Sequence, residues 1–395
     1  MTQQINLLQN WNQENLKEVL LTLESGGRPT GGAQKEGIPS IGGEHLNYNG
    51  KFNFETMKFI PEDYFKSMNK GIIKEDDVLI VKDGATTGKT SFVDNNFPYE
   101  KSAVNEHVFI ARANEKISPK YLFYFLYSIE GQDQLKKAIT GSAQGGINLS
   151  ILDKIYVRFP SSLPLQSRIV SAIETQFTGL DDAVKSLKAV KQKIQLYRKA
   201  VLKKAFEKGE EVELGKIFEI IMGQSPPSEF YNRNKKGKPF FQGKKEFGNR
   251  YPRIEIWTEK YNKEAEKGDL LLSIRAPIGP CNIAPEKCAI GRGIAAIKAN
   301  NETESLLLFY LVKFNAQRLD SKGTGTTFKA ISKTSLNSFL TNIPPKKDWE
   351  KIVSEIESSF SVIDKVEEAV DNSLKKTEQL RKSILKVAFE GRLVK

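Results

Sequence analysis

Between Asp83 and Thr90 the chain reads DGATTGKT, ending in the Gly-Lys-Thr that closes a nucleotide-binding loop. Such a loop needs four residues between its first glycine and the Gly-Lys pair, so that successive backbone N–H groups wrap the phosphates. Only Ala85, Thr86 and Thr87 separate Gly84 from Gly88. An amino-methyltransferase would need an Asn/Asp-Pro-Pro-aromatic loop to hold its target amine. The nearest approach, NIPP at Asn342 to Pro345, lacks both the second-position proline and the aromatic ring. Gly291-Arg292-Gly293 is too short for a cofactor loop and reads as a turn. With only His45, His107, Cys281 and Cys288, the chain cannot furnish a zinc framework. No catalytic residue, metal ligand or bound cofactor is expected.

The chemistry that remains is charge. The 395 residues carry a formal net charge of +12 and a sequence pI near 9.3, which points to a polyanion, most simply nucleic acid. The strongest local candidate is NRNKKGKPFFQGKKEFGNRYPR, Asn232 to Arg253. It interleaves Lys235, Lys236, Lys238, Lys244, Lys245, Arg250 and Arg253 with Phe240, Phe241 and Tyr251, while Gln242 and Asn249 have side chains able to reach base edges. Earlier in the chain the candidates are scattered: Arg28, Lys35, Lys51, Lys82 and Lys89. Two glycine-rich loops, TGSAQGGIN and KGTGTTFKA, add Ser142, Gln144, Thr326 and Lys329. Arginine pairs bidentately with guanine, so Arg28 and Arg275 are the preferred base readers; a phosphate or an internal carboxylate is the equal alternative for either.

The elements that position these residues are written twice. YRKAVLKKAFEKG at Tyr197 to Gly209 returns as LRKSILKVAFEGR at Leu380 to Arg392. Ile169-Val170-Ser171 returns as Ile352-Val353-Ser354, and Phe177 as Phe360, 183 positions on. LFY at Leu122 to Tyr124 recurs at Leu308 to Tyr310, and LKEVLLTLESGGRP pairs loosely with LGKIFEIIMGQSPP. In the second copy the segment equivalent to DDVLIVKDGATTGKT reads GDLLLSIRAPIGPC, so the strand and its glycine turn are repeated but Lys-Thr is not. The loop is therefore read as a turn, with Lys89 near a phosphate of DNA rather than of ATP.

Each copy opens with short β-rich runs, such as VLIV and HVFIA or RIEIW and DLLLSI, then a helix; the first follows Ser118 as cap with Pro119 in its first turn. Each copy closes with a long helix. Ile173, Leu180, Leu187, Ile194 and Val201 recur every seven residues, as do Ile356, Ile363, Val370 and Ile384 with Thr377 as a weak member. Phe360, Val366, Leu374 and Leu380 widen the second stripe. The expected fold is α+β: two mixed α/β target-recognition domains joined by two long antiparallel coiled-coil helices, with an internal pseudo-two-fold repeat. The segments are 1–160, 161–209, 210–345 and 346–395. A helix from Leu165 to Lys208 would be roughly 65 Å long, somewhat under two turns of B-DNA. That is a ruler: each domain reads a short sequence, and the helices fix the unread gap.

The paired motifs LPLQSRIVSAIE with YRKAVLKKAFEKGE, and IPPKKDWEKIVSEIE with LRKSILKVAFEGRL, resemble the specificity subunit of type I restriction–modification systems over essentially the whole chain. The second copy departs at PPKKDWEKI, where the Leu-x-x-Gln of LPLQSRI is missing. The two cysteines read as reduced thiols of a cytoplasmic protein, and the densest apolar run, Tyr121 to Ile129, is too short to span a membrane. The resemblance implies a non-catalytic subunit that recognises double-stranded DNA. Two modification subunits carrying S-adenosylmethionine chemistry would bind the helical regions. Restriction subunits carrying the ATP- and magnesium-dependent translocase and nuclease would join them. The helix ends supply Lys203, Lys204, Phe206, Lys386 and Phe389 as docking candidates, the two phenylalanines being equally readable as core. The alternatives are a two-domain subunit of restriction systems that cut on both sides of their site (type IIB-like) and a coiled-coil scaffold without DNA readout.

Overall fold

The computed structural model describes residues 11–140, 145–325 and 329–394. It separates into two compact units. One comprises residues up to Leu187 together with those from Asn372 onward; the other is the continuous stretch Lys188–Asp371. These units cut across the four segments read from the sequence, because each claims a part of both long helices, Leu163–Phe206 and Trp349–Phe389.

In the first unit the run VLIV forms the strand Val78–Val81, inside a four-stranded antiparallel sheet ordered Leu20–Ser25, Val108–Ala113, Val78–Val81, Thr90–Phe92. The run is apolar without alternation because both faces are covered. Val78 and Ile80 pack with Tyr121, Phe125 and the start of the first long helix. Leu79 and Val81 pack on the other side with Ile41 and Val104, from a small mixed sheet of Lys58–Ile60, Ile38–Ile41 and Ala103–Val104. A two-stranded ladder, Trp11–Asn15 with Tyr156–Pro160, leads into the long helix.

The second unit repeats this plan from a different sequence. Its four-stranded antiparallel sheet runs Ile220–Met222, Ile294–Ile297, Leu270–Ser273, Cys281–Ile283. Leu270 and Leu272 face the helix Glu302–Ser321, and Leu271 faces a second sheet that contains Lys238–Phe241 and Cys288–Ile290. Glu210–Glu213 pairs with Leu340–Ile343. Both cysteines are buried strand residues, and burial pushes each thiol up to about 12. Neither should react with an aromatic disulfide reagent at pH 8 in the native protein, and two should titrate after denaturation. A fast-reacting native thiol would contradict their placement.

Phe206 and Phe389, the repeated phenylalanines of the AFE motifs, are core residues. Phe206 is 0% exposed and stacks on Phe314 in the second unit; Phe389 is 2% exposed and meets Tyr121 and Phe125 edge-on in the first. Their reading as docking residues is therefore corrected: a side chain closed off in its own core has no surface to offer. Lys203, Lys204 and Lys386 remain exposed on the same turns.

The seam in each unit holds an arginine beside the hydrophobic stripe. In the second unit, Lys191 pairs with Asp371 at 2.7 Å and Arg198 with Asp364 at 2.5 Å, the numbers rising on one helix as they fall on the other, hence antiparallel. The Arg198 guanidinium lies over Phe360, 5.2 Å from the ring centre, and Tyr310 meets the same ring edge-on. The first unit contains the same arrangement: Arg381 lies 4.7 Å over Phe177 and bonds Asp181, and Tyr124 meets Phe177 edge-on. Val366 and Leu380, expected in the stripe, are 41% and 50% exposed, whereas Thr377 is buried in its heptad place.

The missing glutamine also has an answer. Gln166 is fully buried; its amide donates to the carbonyls of Pro160 (2.8 Å) and Lys116 and accepts from the Ser118 N–H. At the corresponding place Trp349 donates its indole N–H to the carbonyl of Pro344 at 2.8 Å. Gln166→Ala removes three hydrogen bonds to the backbone, one of them buried and two part-buried, and should cost roughly 1–3 kcal/mol, whereas Trp349→Phe loses one bond worth about 1 kcal/mol. Urea midpoints of the two variants check the order.

Candidate nucleic-acid interface

Each mixed domain exposes one place where four separate segments converge, at the open end of the ladder between its two central strands. In the first domain the ladder carries past Val81–Val108 to Lys82, whose N–H donates to the carbonyl of His107 at 2.8 Å. Asp83 follows Lys82 and bridges to Gly146 in the glycine-rich loop, while Glu106 precedes His107 in the turn into Val108–Ala113. The loop after Leu20–Ser25 brings Arg28. These side chains bond one another: His107 Nδ1 lies 2.6 Å from Asp83 and Nε2 3.2 Å from Glu106, and Arg28 bonds Glu106 at 2.7 Å.

The GKT-like loop belongs to this place. Gly84 and Gly88 both have positive φ, and the Gly88 N–H returns to the carbonyl of Val81, so the chain reverses into the strand Thr90–Phe92. A phosphate loop opens a helix; this one closes a hairpin. Lys89 lies over the ring of exposed Tyr48 at 4.4 Å.

In the second domain the ladder carries past Ser273–Ile294 to Ile274, whose N–H donates to Gly293 at 3.0 Å. Arg275 follows Ile274 and Arg292 precedes Gly293 in the turn before Ile294–Ile297, and Arg275 bridges to Ala330 as Asp83 does to Gly146. The Ser225 hydroxyl accepts from the Arg292 N–H at 3.1 Å. Gln242 lies alongside, its amide donating to the Tyr231 hydroxyl at 2.8 Å. Its backbone comes so close that a Cβ on Gly293 would sit 2.0 Å from the Gln242 carbonyl oxygen, which requires glycine there.

Of the residues singled out from the sequence, Arg28 and Lys82 meet at the first convergence and Gln242, Arg275 and Lys329 at the second. Lys82 donates to the Glu106 carbonyl, and Lys329 bonds Asp320 at 2.6 Å. Lys244 and Lys245 follow Gln242 and are exposed, as are Lys235 and Lys236 in a turn, Arg253 and, in the first domain, Lys35. Lys51 bonds Asp181 on the long helix, and Lys238 bonds Glu264 at 2.6 Å and lies over Tyr261. Arg250 is clamped by Glu357 at 2.8 Å, beside Asn249 in a cleft of about 700 Å³ against the helix pair of the second unit. Ser142, Gln144 and Thr326 lie outside the described residues. The sequence reading missed Arg292, Asp83, Glu106 and His107; the signal available was an arginine held between two glycines, Gly291 and Gly293.

This is a doubled recognition fold: one loop-bearing scaffold built twice, with different side chains at the same place. Residues 9–195 and 207–376 each match the family described as type I restriction modification DNA specificity domain, and the chain belongs to that family. Among curated proteins it is 29% identical to the putative type I restriction enzyme MjaX specificity subunit of Methanocaldococcus jannaschii, over 98% of this chain and 94% of that one. It is 24% identical to the type I restriction enzyme StySPI specificity subunit of Salmonella potsdam, over 91% and 83%. A chain from a structure solved to describe complex assembly and conformational transition of the type I R-M system superposes with a TM-score of 0.83 at 25% identity, over 97% and 98%. The HsdS subunit from Thermoanaerobacter tengcongensis shares the fold, with a TM-score of 0.64 at 24% identity over 97% of each chain.

Proposed function

We propose that this chain is the DNA-binding specificity subunit of a type I restriction–modification enzyme. Each mixed domain reads one half of an asymmetric bipartite target, and the long helices set the gap and dock two modification subunits. The observation that carries this is the repeated ladder end, furnished with Asp83, Glu106, His107 and Arg28 in one domain and Arg275, Arg292 and Gln242 in the other. One scaffold with two sets of side chains suits two unlike half-sites. Docking is supported by apolar side chains left exposed on the helix pair of the second unit: Leu196 at 65%, Tyr197 at 56% and Val362 at 60%. The chain itself performs no catalysis. S-adenosylmethionine belongs to the modification subunits, and ATP with Mg²⁺ to restriction subunits that complete a cytoplasmic complex.

The test is to co-express the chain with its modification subunit and map methylated adenines across the host genome. Two different short half-sites at one fixed spacing are expected. Removing one heptad from both helices should shorten that spacing by about three base pairs, at ~1.5 Å per residue and ~3.4 Å per base pair. Methylation of one continuous site would overturn the reading.

A further inference from the structure

At the open ladder end of the second domain two arginines flank one hydrogen bond: Arg275 follows Ile274, whose N–H donates to the carbonyl of Gly293, and Arg292 precedes Gly293 in the turn into Ile294–Ile297. Like charges brought this close repel. Both side chains are exposed, and among the described residues neither makes an ion pair or side-chain hydrogen bond. Other cations of the second domain are paired: Lys238, Arg250, Lys287, Lys298 and Lys329 are each held by a carboxylate. We infer that Arg275 and Arg292 read guanine in the second half-site, each offering its fork to O6 and N7 in the major groove. This rests on the function proposed above and names the residues that carry half of it.

Three features favour bases over phosphates. The backbone of both arginines is tied down, by the Ile274–Gly293 hydrogen bond beside them and by the Ser225 hydroxyl on the Arg292 N–H, so neither stands on a free loop. Each arginine is one residue from that shared backbone contact, close enough for two long side chains to reach neighbouring base pairs stacked at ~3.4 Å. Gln242 beside them presents the amide that pairs with adenine, while exposed Lys244 and Lys245 supply charge for the backbone. The first domain has no guanidinium at this pair of positions. Asp83 and Glu106 stand there, held by His107 and Arg28. Guanine reading by the ladder end is therefore confined to one half-site.

The experiment is methylome mapping of the chain co-expressed with its modification subunit, as wild type and as Arg275→Gln and Arg292→Gln. The expected result is a second half-site with guanine at fixed positions. Each variant should relax one of them, lowering the preference for guanine by roughly 5- to 150-fold, with the first half-site unchanged. The intact first half-site shows that the variant is folded. A second half-site without a fixed guanine overturns the inference. So does uniformly weaker methylation with unchanged base preference, accompanied by a salt dependence of DNA binding shallower by about one unit, since that marks phosphate contacts. If the wild type shows no bipartite target, the proposed function fails; if the target is bipartite but both variants keep its motif, only the guanine assignment fails.

Discussion

Replacing Phe389 by alanine should strip roughly 3–5 kcal/mol from the first unit while leaving the second nearly unaffected. The phenyl ring is 2% exposed and fills the space between Tyr121 and Phe125, with Leu385 and Ala388 beside it in the same core. Emptying that space loses the buried apolar area and leaves a cavity that aromatic neighbours on a short helix cannot close. Hydrogen exchange resolved by segment is the measurement. Amides of Val78–Val81 and Val108–Ala113 should lose protection, whereas those of Leu270–Ser273 should keep it. Equal loss in both strands, or none in the first, would contradict the assignment of Phe389 to the first core. Phe206→Ala should produce the mirror result, because Phe206 is 0% exposed in the second core.

Arg112→Met should be comparably damaging, by about 3–5 kcal/mol at neutral pH, through charge rather than volume. Asp77 is 0% exposed and is held by two hydrogen bonds from Arg112, at 2.8 and 2.9 Å, and one from the Lys74 N–H. Burial already raises the Asp77 pKa, and the Arg112 bonds pull it back only in part. A carboxyl whose folded pKa lies above its unfolded value favours folding at acid pH and loses that contribution as the pH climbs through the folded pKa. Without Arg112 the folded pKa rises further. The deficit of the variant should therefore be largest near pH 7 and shrink as the pH falls, which urea denaturation at several pH values will show. A deficit independent of pH would mean that the damage is packing.

Much of this architecture was legible in the residues. The duplication, the two long helices and the apolar runs of the central strands follow from period and pattern alone, because burial on both faces suppresses alternation. The seam was less legible. Val366 and Leu380 fit a broad hydrophobic stripe, yet both stand exposed, while Arg198 and Arg381 stack on Phe360 and Phe177 in the seam. No single-helix pattern reveals a cation whose partner ring lies on another helix. The ladder ends were hidden for a related reason. Each is assembled from segments such as Arg28, Asp83, His107 and Gly146, and the intervening loops differ in length between the copies. Arg275 already falls opposite Asp83 in the repeat of the sequence, but Arg292 matches Glu106 only once the neighbouring strands are in register.

The division of the chain also bears on the order in which it is made. The second unit is one uninterrupted stretch, Lys188–Asp371, and can close its core as soon as that stretch has left the ribosome. The first unit must wait for Leu385, Ala388 and Phe389. At ~5–20 residues per second, the two hundred or so residues between Leu187 and Phe389 take on the order of 10–40 seconds to synthesise. Through that interval the first domain has its sheets and lacks its final wall, leaving Tyr121 and Phe125 open to solvent or to a chaperone. The part translated first is the part completed last.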